Sequence, residues 1–127
     1  MHKRLTEKIA VSVLPEFVNS DHIHGQRYFL FSYHIEIDNQ SQMGITLLKR
    51  HWYIFDSKTH YSEVKGDGVL GKQPFIPAGE SHHYQSFCRL ESEMGMMWGQ
   101  YLMKKENQEL ILVKIPEFEL IAPHRLN

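Results

Sequence analysis

Phe29-Leu30-Phe31-Ser32-Tyr33-His34-Ile35-Glu36-Ile37-Asp38 sets Phe29, Phe31, Tyr33, Ile35 and Ile37 in strict alternation with Ser32, His34, Glu36 and Asp38. A period of two puts the first set on one face of a strand and the second on the other, so one face enters a core and the other is wetter. Upstream, Ile9, Val11 and Val13 repeat the pattern until Pro15, which is expected to end or bulge that strand. A polar loop is expected over Asn19-Ser20-Asp21-His22-Ile23-His24-Gly25-Gln26. Downstream, Asp38-Asn39-Gln40-Ser41 and Gly44 supply turn chemistry before a second long run, Ile45 to Phe55. There Leu48, Arg50, Trp52 and Ile54 share one face, and Leu47, Lys49, His51, Tyr53 and Phe55 the other.

The pattern continues to the C-terminus. A turn at Asp56-Ser57-Lys58-Thr59 leads into a short strand, His60 to Val64. Ser81 to Arg89 alternate weakly, and their anchors Tyr84 and Phe87 fall on opposite faces, which predicts a bulge. Met96 to Met103 is extended, with Gly99 marking a place where another backbone or a large side chain comes close. Leu110 to Ile115 follow a solvated hairpin connection, and Pro116 interrupts before Phe118 and Leu120. No stretch has a useful helical period and nothing repeats. Seven or more short strands between turn clusters argue for an all-β fold, an antiparallel β-sandwich of immunoglobulin-like or fibronectin type III-like form. The immunoglobulin Cys…Trp…Cys pattern is absent, because Cys88 is the single cysteine, so the fibronectin type III-like variant is favoured.

A length of 127 residues fits one domain, residues 1–127, with a single core. The 42% hydrophobic and 23% charged fractions are globular, and a net charge of −1 gives no general attraction to nucleic acid or to an acidic membrane. A lone cysteine precludes an intrachain disulfide and suits a reducing, cytoplasmic location. No segment approaches the roughly 20 apolar residues of a membrane span, and the first residues lack a signal-peptide core. The expectation is a protein that is not membrane-embedded and not exported.

The least ordinary segment is Val64-Lys65-Gly66-Asp67-Gly68-Val69-Leu70-Gly71-Lys72-Gln73-Pro74-Phe75-Ile76-Pro77-Ala78-Gly79-Glu80, with four of the eight glycines and two of the five prolines. Gly66, Gly68 and Gly71 spell G-x-G-x-x-G, yet Pro74 and Pro77 oppose the helix that a dinucleotide fold needs next. One reading is a glycine turn with a proline-stiffened connection between strands. The other is an anion cradle, in which backbone N–H groups of Gly66, Gly68 and Gly71 form a nest and Lys65, Lys72 and Arg50 add charge for a phosphate or pyrophosphate-type ligand.

Other chemistry is sparse. Nine histidines suggest divalent metal, and His22 and His24 share a face if extended, whereas adjacent His82 and His83 diverge. With no C-x-x-C and no further close pair, surface histidines are the alternative. Cys88 in a strand-like run reads as an inert buried thiol, and Ser86 lacks a nucleophile elbow. Glu36 with Asp38, and Glu117 with Glu119, are solvated-face carboxylates. No acid-base constellation emerges, so no enzymatic activity and no cofactor are expected. Binding remains: a small anion as above, or a protein partner, a homodimer included, through a sheet edge or exposed Tyr53, Phe55, Trp98 or Tyr101.

Several motifs converge on one family. The glycine run through Pro74, then Pro77-Ala78-Gly79-Glu80 and Tyr84, resembles the signature of the ApaG family of small β-sandwich domains. Arg50-His51-Trp52 is similar to that family's R-x-W strand, Gly95 to Met103 to its G-x-M-x-G-x-Y-x-M, and Ile115 to Leu120 to its I-P-x-F-x-L ending. The resemblance spans about Val11 to Pro123 in the family's order. It departs at Tyr84-Gln85-Ser86-Phe87-Cys88, where relatives usually carry Tyr-x-Ser-Gly. The resemblance implies a fibronectin type III-like fold and an association with cobalt and magnesium efflux or homeostasis. Eukaryotic relatives carry the domain within adaptors such as F-box proteins and a polymerase-interacting protein.

Overall fold

The computed structural model describes residues 2–123 and arranges them in nine strands without a helix: β1 (His2–Thr6), β2 (Ile9–Ile23), β3 (Gln26–Asn39), β4 (Ile45–Asp56), β5 (His60–Asp67), β6 (Phe75–Ile76), β7 (Ser81–Leu90), β8 (Met94–Lys105) and β9 (Leu110–Ile121). They form two antiparallel sheets. Sheet A has the order β1-β2-β3-β7, and sheet B the order β5-β4-β8-β9, with β6 pairing β4 beside β5. This is the expected all-β sandwich. No helix among the described residues is long and apolar enough to cross a membrane.

The alternation in β3 does what its pattern requires. Phe29, Phe31, Tyr33, Ile35 and Ile37 are buried against the inner face of sheet B, where Leu47, Trp52, Met97, Tyr101, Val113 and Phe118 meet them. Tyr33 and Phe118 each pack edge-on against Trp52, at ring separations of 5.3 and 5.9 Å, and lie tilted to each other at 5.9 Å. Contacts of this kind contribute about 0.5–1.5 kcal/mol each beyond the area they bury.

Four local expectations change. Pro15 neither ends nor bulges β2; the register continues through Pro15↔Tyr33 and shifts later, between Phe17 and Asn19. β1 pairs only as far as Val13, so at Pro15 the strand is a sheet edge and its missing N–H breaks no ladder. The polar loop over residues 19–26 is instead paired strand closed by a two-residue turn, with His24 and Gly25 both at positive φ. In β7 the register runs unbroken from Phe29↔Leu90 to Asp38↔Ser81. Tyr84 faces in and Phe87 stands exposed, so opposite faces needed no bulge. In β4 a register shift between Leu47 and Lys49 turns Leu47 into the core, leaving Lys49 exposed.

One side of the sandwich is closed. The Lys114 N–H donates to Thr6 Oγ1 at 3.2 Å and Lys105 Nζ lies 3.3 Å from Glu7 Oε1, joining β9 and the end of β8 to β1 and its turn. Among the described residues the free edges are therefore β7 in sheet A and β5 in sheet B.

At the end of β4, Asp56 ties two turns together. Its carboxylate accepts from the Glu91 N–H at 2.6 Å, Ser92 Oγ at 2.7 Å and the Lys58 N–H at 3.0 Å. Burial alone would raise its pKa, but these hydrogen bonds outweigh burial and hold it below the ordinary value of 3.8. A depressed folded pKa means the stabilisation is present above the unfolded value and is lost as pH falls through the folded one. In thermal melts the wild type should exceed Asp56→Asn at pH 7, and the gap should close as pH falls below the ordinary carboxylate value of 3.8.

Candidate functional site

The glycine segment is a joint, and the three glycines of its G-x-G-x-x-G run answer to the chain itself. Leu70 (φ 50°) and Gly71 (φ 75°) form a type I′ turn, closed by reciprocal hydrogen bonds between Val69 and Lys72 at 2.8 and 3.0 Å. Gly68 has φ 58°, and a Cβ there would press into the Lys72 carbonyl; its N–H donates to the Leu48 oxygen at 2.8 Å. Gly66 makes room for Arg50, whose guanidinium atoms lie 2.7 to 2.8 Å from where a Cβ would be. The N–H groups of Val69 and Lys72 are thus spent on each other, and that of Gly68 on β4.

Of the three cations, Lys72 stands apart, while Arg50 and Lys65 leave their strands on different faces. Arg50 pairs with Gly66 on the face of β4 shared with buried Trp52, and its Nη1 donates to the Asp67 and Gly68 carbonyls at 3.0 Å each. Lys65 pairs with His51 on the outer face of sheet B. Lys72 lies beyond the turn, with its charge felt at His82, whose pKa is lowered mainly by burial, then by His83 and Lys72. Lys49, His51 and Lys65 gather around a groove of about 410 Å³ that Arg50, Gly66 and Asp67 also line, so Arg50 and Lys65 do border one cleft while Lys72 stays outside it. Removing Arg50 strands two carbonyls. Arg50→Ala should destabilise by about 1–3 kcal/mol in denaturant melts, and Arg50→Lys should recover only part of it, because one ammonium does not reproduce the planar guanidinium.

Arg50 also faces the tyrosine cluster between the sheets. Tyr84 Oη and Tyr101 Oη share a short hydrogen bond that bridges sheet A to sheet B. Burial raises the pKa of Tyr33, Tyr84 and Tyr101, and the Arg50 charge lowers each in part. Tyr101 is fully buried, so it is not the surface anchor the sequence offered.

His22 and His24 sit exposed at the β2–β3 hairpin tip, His24 inside the turn. Among the described residues no group of three His, Cys, Asp or Glu side chains is arranged to hold a metal ion. Cys88 is buried, and burial pushes its thiol up to about 12, which leaves no thiolate at neutral pH.

The outer face of sheet B carries the remaining feature. Tyr53 stacks on Trp98 at 5.7 Å and on His51 at 4.3 Å, and cross-strand pairing sets Phe55 between Tyr61 and Met96. Tyr53, Phe55, Tyr61 and Trp98 line an open apolar pocket of about 450 Å³. Tyr61 is 58% exposed and Phe55 40%.

The order in which these parts occur along the chain is shared with known proteins. The ApaG domain family matches residues 19–105, which include Arg50, the glycine joint and Tyr84–Tyr101. The chain belongs to the ApaG family. It is 40% identical to Protein ApaG of Methylorubrum populi over 124 residues, 98% of this chain and 95% of that one. Protein ApaG of Sinorhizobium fredii is 35% identical over 123 residues, 97% of this chain and 95% of that one. Among solved structures, a Bordetella pertussis protein described as ApaA superposes with a TM-score of 0.83 at 36% identity, covering 98% of both chains. A structural-genomics X-ray structure gives 0.88 at 35% identity, covering 94% of this chain and 90% of the other.

Within this ApaG domain the departure at Phe87 is explained by position. Its side chain is 58% exposed on β7, so the strand accommodates it without a close backbone approach. Sequence reasoning missed Tyr61 and Lys49 as site residues. Tyr61 sits in a short strand whose register cannot be read without β4 beside it, and Lys49, though correctly set on the face of His51, gains its groove only once β5 brings Lys65 alongside.

Proposed function

We propose that this ApaG domain is a non-catalytic module that holds another protein on the outer face of sheet B. The observation that carries the reading is the pocket formed by Tyr53, Phe55, Tyr61 and Trp98, four aromatic side chains left on a surface facing water. Such groups at the centre of an interface supply most of its energy, because they bury large area with few rotatable bonds. The inert thiol of Cys88 supports a non-catalytic role, and a single buried cysteine fits the reducing cytoplasm. A link to cobalt or magnesium efflux would then run through the bound partner. A photo-crosslinking amino acid at Tyr61 should yield a discrete adduct with a polypeptide other than this chain in cells, and one at His34 on sheet A should not. Equal labelling from both positions would discard the reading.

A second reading is favoured by the groove of Lys49, His51 and Lys65, whose charge suits a phosphate-type anion. Calorimetry with pyrophosphate should then show heat that Lys49→Ala with Lys65→Ala removes, and a silent titration would end it.

A further inference from the structure

We infer that two copies of this chain pair antiparallel through their β5 edges, with a two-fold axis at Val64. β5 and β7 are the edges left open among the described residues, and β5 is guarded by charge alone, at Glu63, Lys65 and Asp67. It contains no proline, and its register against β4 runs without a shift from Lys49↔Asp67 to Asp56↔His60. Edge strands of this kind recruit another strand unless charge or shape prevents it.

Charge chooses the register. For a two-fold axis perpendicular to the sheet, directly opposed residues share a face, so the axis passes through a residue on one strand face or the other. An axis at Glu63 would set Glu63 against its own copy, which is repulsive. An axis at Val64 sets Glu63 against Lys65 of the second copy and Lys65 against its Glu63, on the outer face. It also pairs Val64 with Val64, Ser62 with Gly66, and Tyr61 with Asp67, so the strand is used along nearly its whole length and no like charges oppose. Glu63 Oε1 already lies 2.8 Å from His51 Nε2, which holds that carboxylate on the face where the second lysine would arrive. β7 offers no such match, since its one residue charged at all pH values is Arg89.

The paired sheets would share one outer face, with the two aromatic pockets on it. The inference does not rest on what those pockets hold. A strand-edge interface is small, so the dimer should be weak and concentration-dependent.

Sedimentation over micromolar to submillimolar concentrations should show reversible dimerisation. Lys65→Glu should weaken it about tenfold or more, and Glu63→Lys combined with Lys65→Glu should restore it. Val64→Cys should form a disulfide-linked dimer under mild oxidation, because opposed Cα atoms about 4.5–5.5 Å apart fall within the range a disulfide spans. Phe87→Cys on the β7 edge should not. A monomer at every concentration, a double charge reversal no better than the single one, or Val64→Cys that oxidises no faster than Phe87→Cys would each overturn the pairing. Loss of the Tyr61 crosslink with dimerisation intact would fault the partner reading alone.

Discussion

Gly99→Ala is expected to lower the thermal midpoint by about 10–15 °C. Gly99 is buried in β8 opposite Trp52, and the added carbon would sit against the His51 carbonyl oxygen and close to the Trp52 Cα, well inside contact distance. Those are backbone atoms of a central strand, so they cannot rotate away. Overpacking a core costs about 1–3 kcal/mol where side chains can adjust, and the upper end or more applies here. For a chain of this size each kcal/mol moves the midpoint by roughly 3–5 °C. Circular dichroism melts of the variant check it, and a shift under about 3 °C would show that β4 and β8 are not so close.

The second large effect separates two neighbouring glycines. Gly68→Ala should cost about 2–5 kcal/mol, combining a left-handed φ of 58° with a collision against the Lys72 carbonyl. Gly71→Ala should cost about 1–2 kcal/mol, from its positive φ alone, because nothing lies within 4 Å of the added carbon. Chemical denaturation resolves the difference. A joint kept open for a bound phosphate would give the opposite ranking, since Gly71 sits at the exposed tip of the turn and Gly68 is buried in its base.

These two residues also show what the sequence could and could not convey. Gly99 was legible, because a glycine inside an apolar alternating run has little reason to be there except a close neighbour. The alternation of Phe29 to Asp38 likewise fixed a strand, its inner face and, with its neighbours, a sandwich. The glycine motif was ambiguous for a physical reason: positive φ serves a hairpin as well as an anion nest, and only the hydrogen-bond partners distinguish them. Arg50 and Lys65 looked like partners at a turn, but whether two strand residues share a face depends on register. The shift at Leu47 and the unbroken run of β7 were both invisible without a neighbouring strand. Tyr101 shows the limit for aromatics, since its burial follows from a hydroxyl partner, Tyr84, on the opposite sheet.

The reading of function turns on four aromatic side chains and their exposure. Their removal should leave the fold in place, because Phe55 and Tyr61 point to solvent and the core contains neither. Capture of the protein that crosslinks to Tyr61 by immobilised domain, comparing wild type with Phe55→Ser combined with Tyr61→Ser, tests this most directly. The account predicts that capture falls at least about tenfold while the thermal midpoint changes little, as expected for two central interface anchors. Undiminished capture by the doubly substituted domain would contradict it.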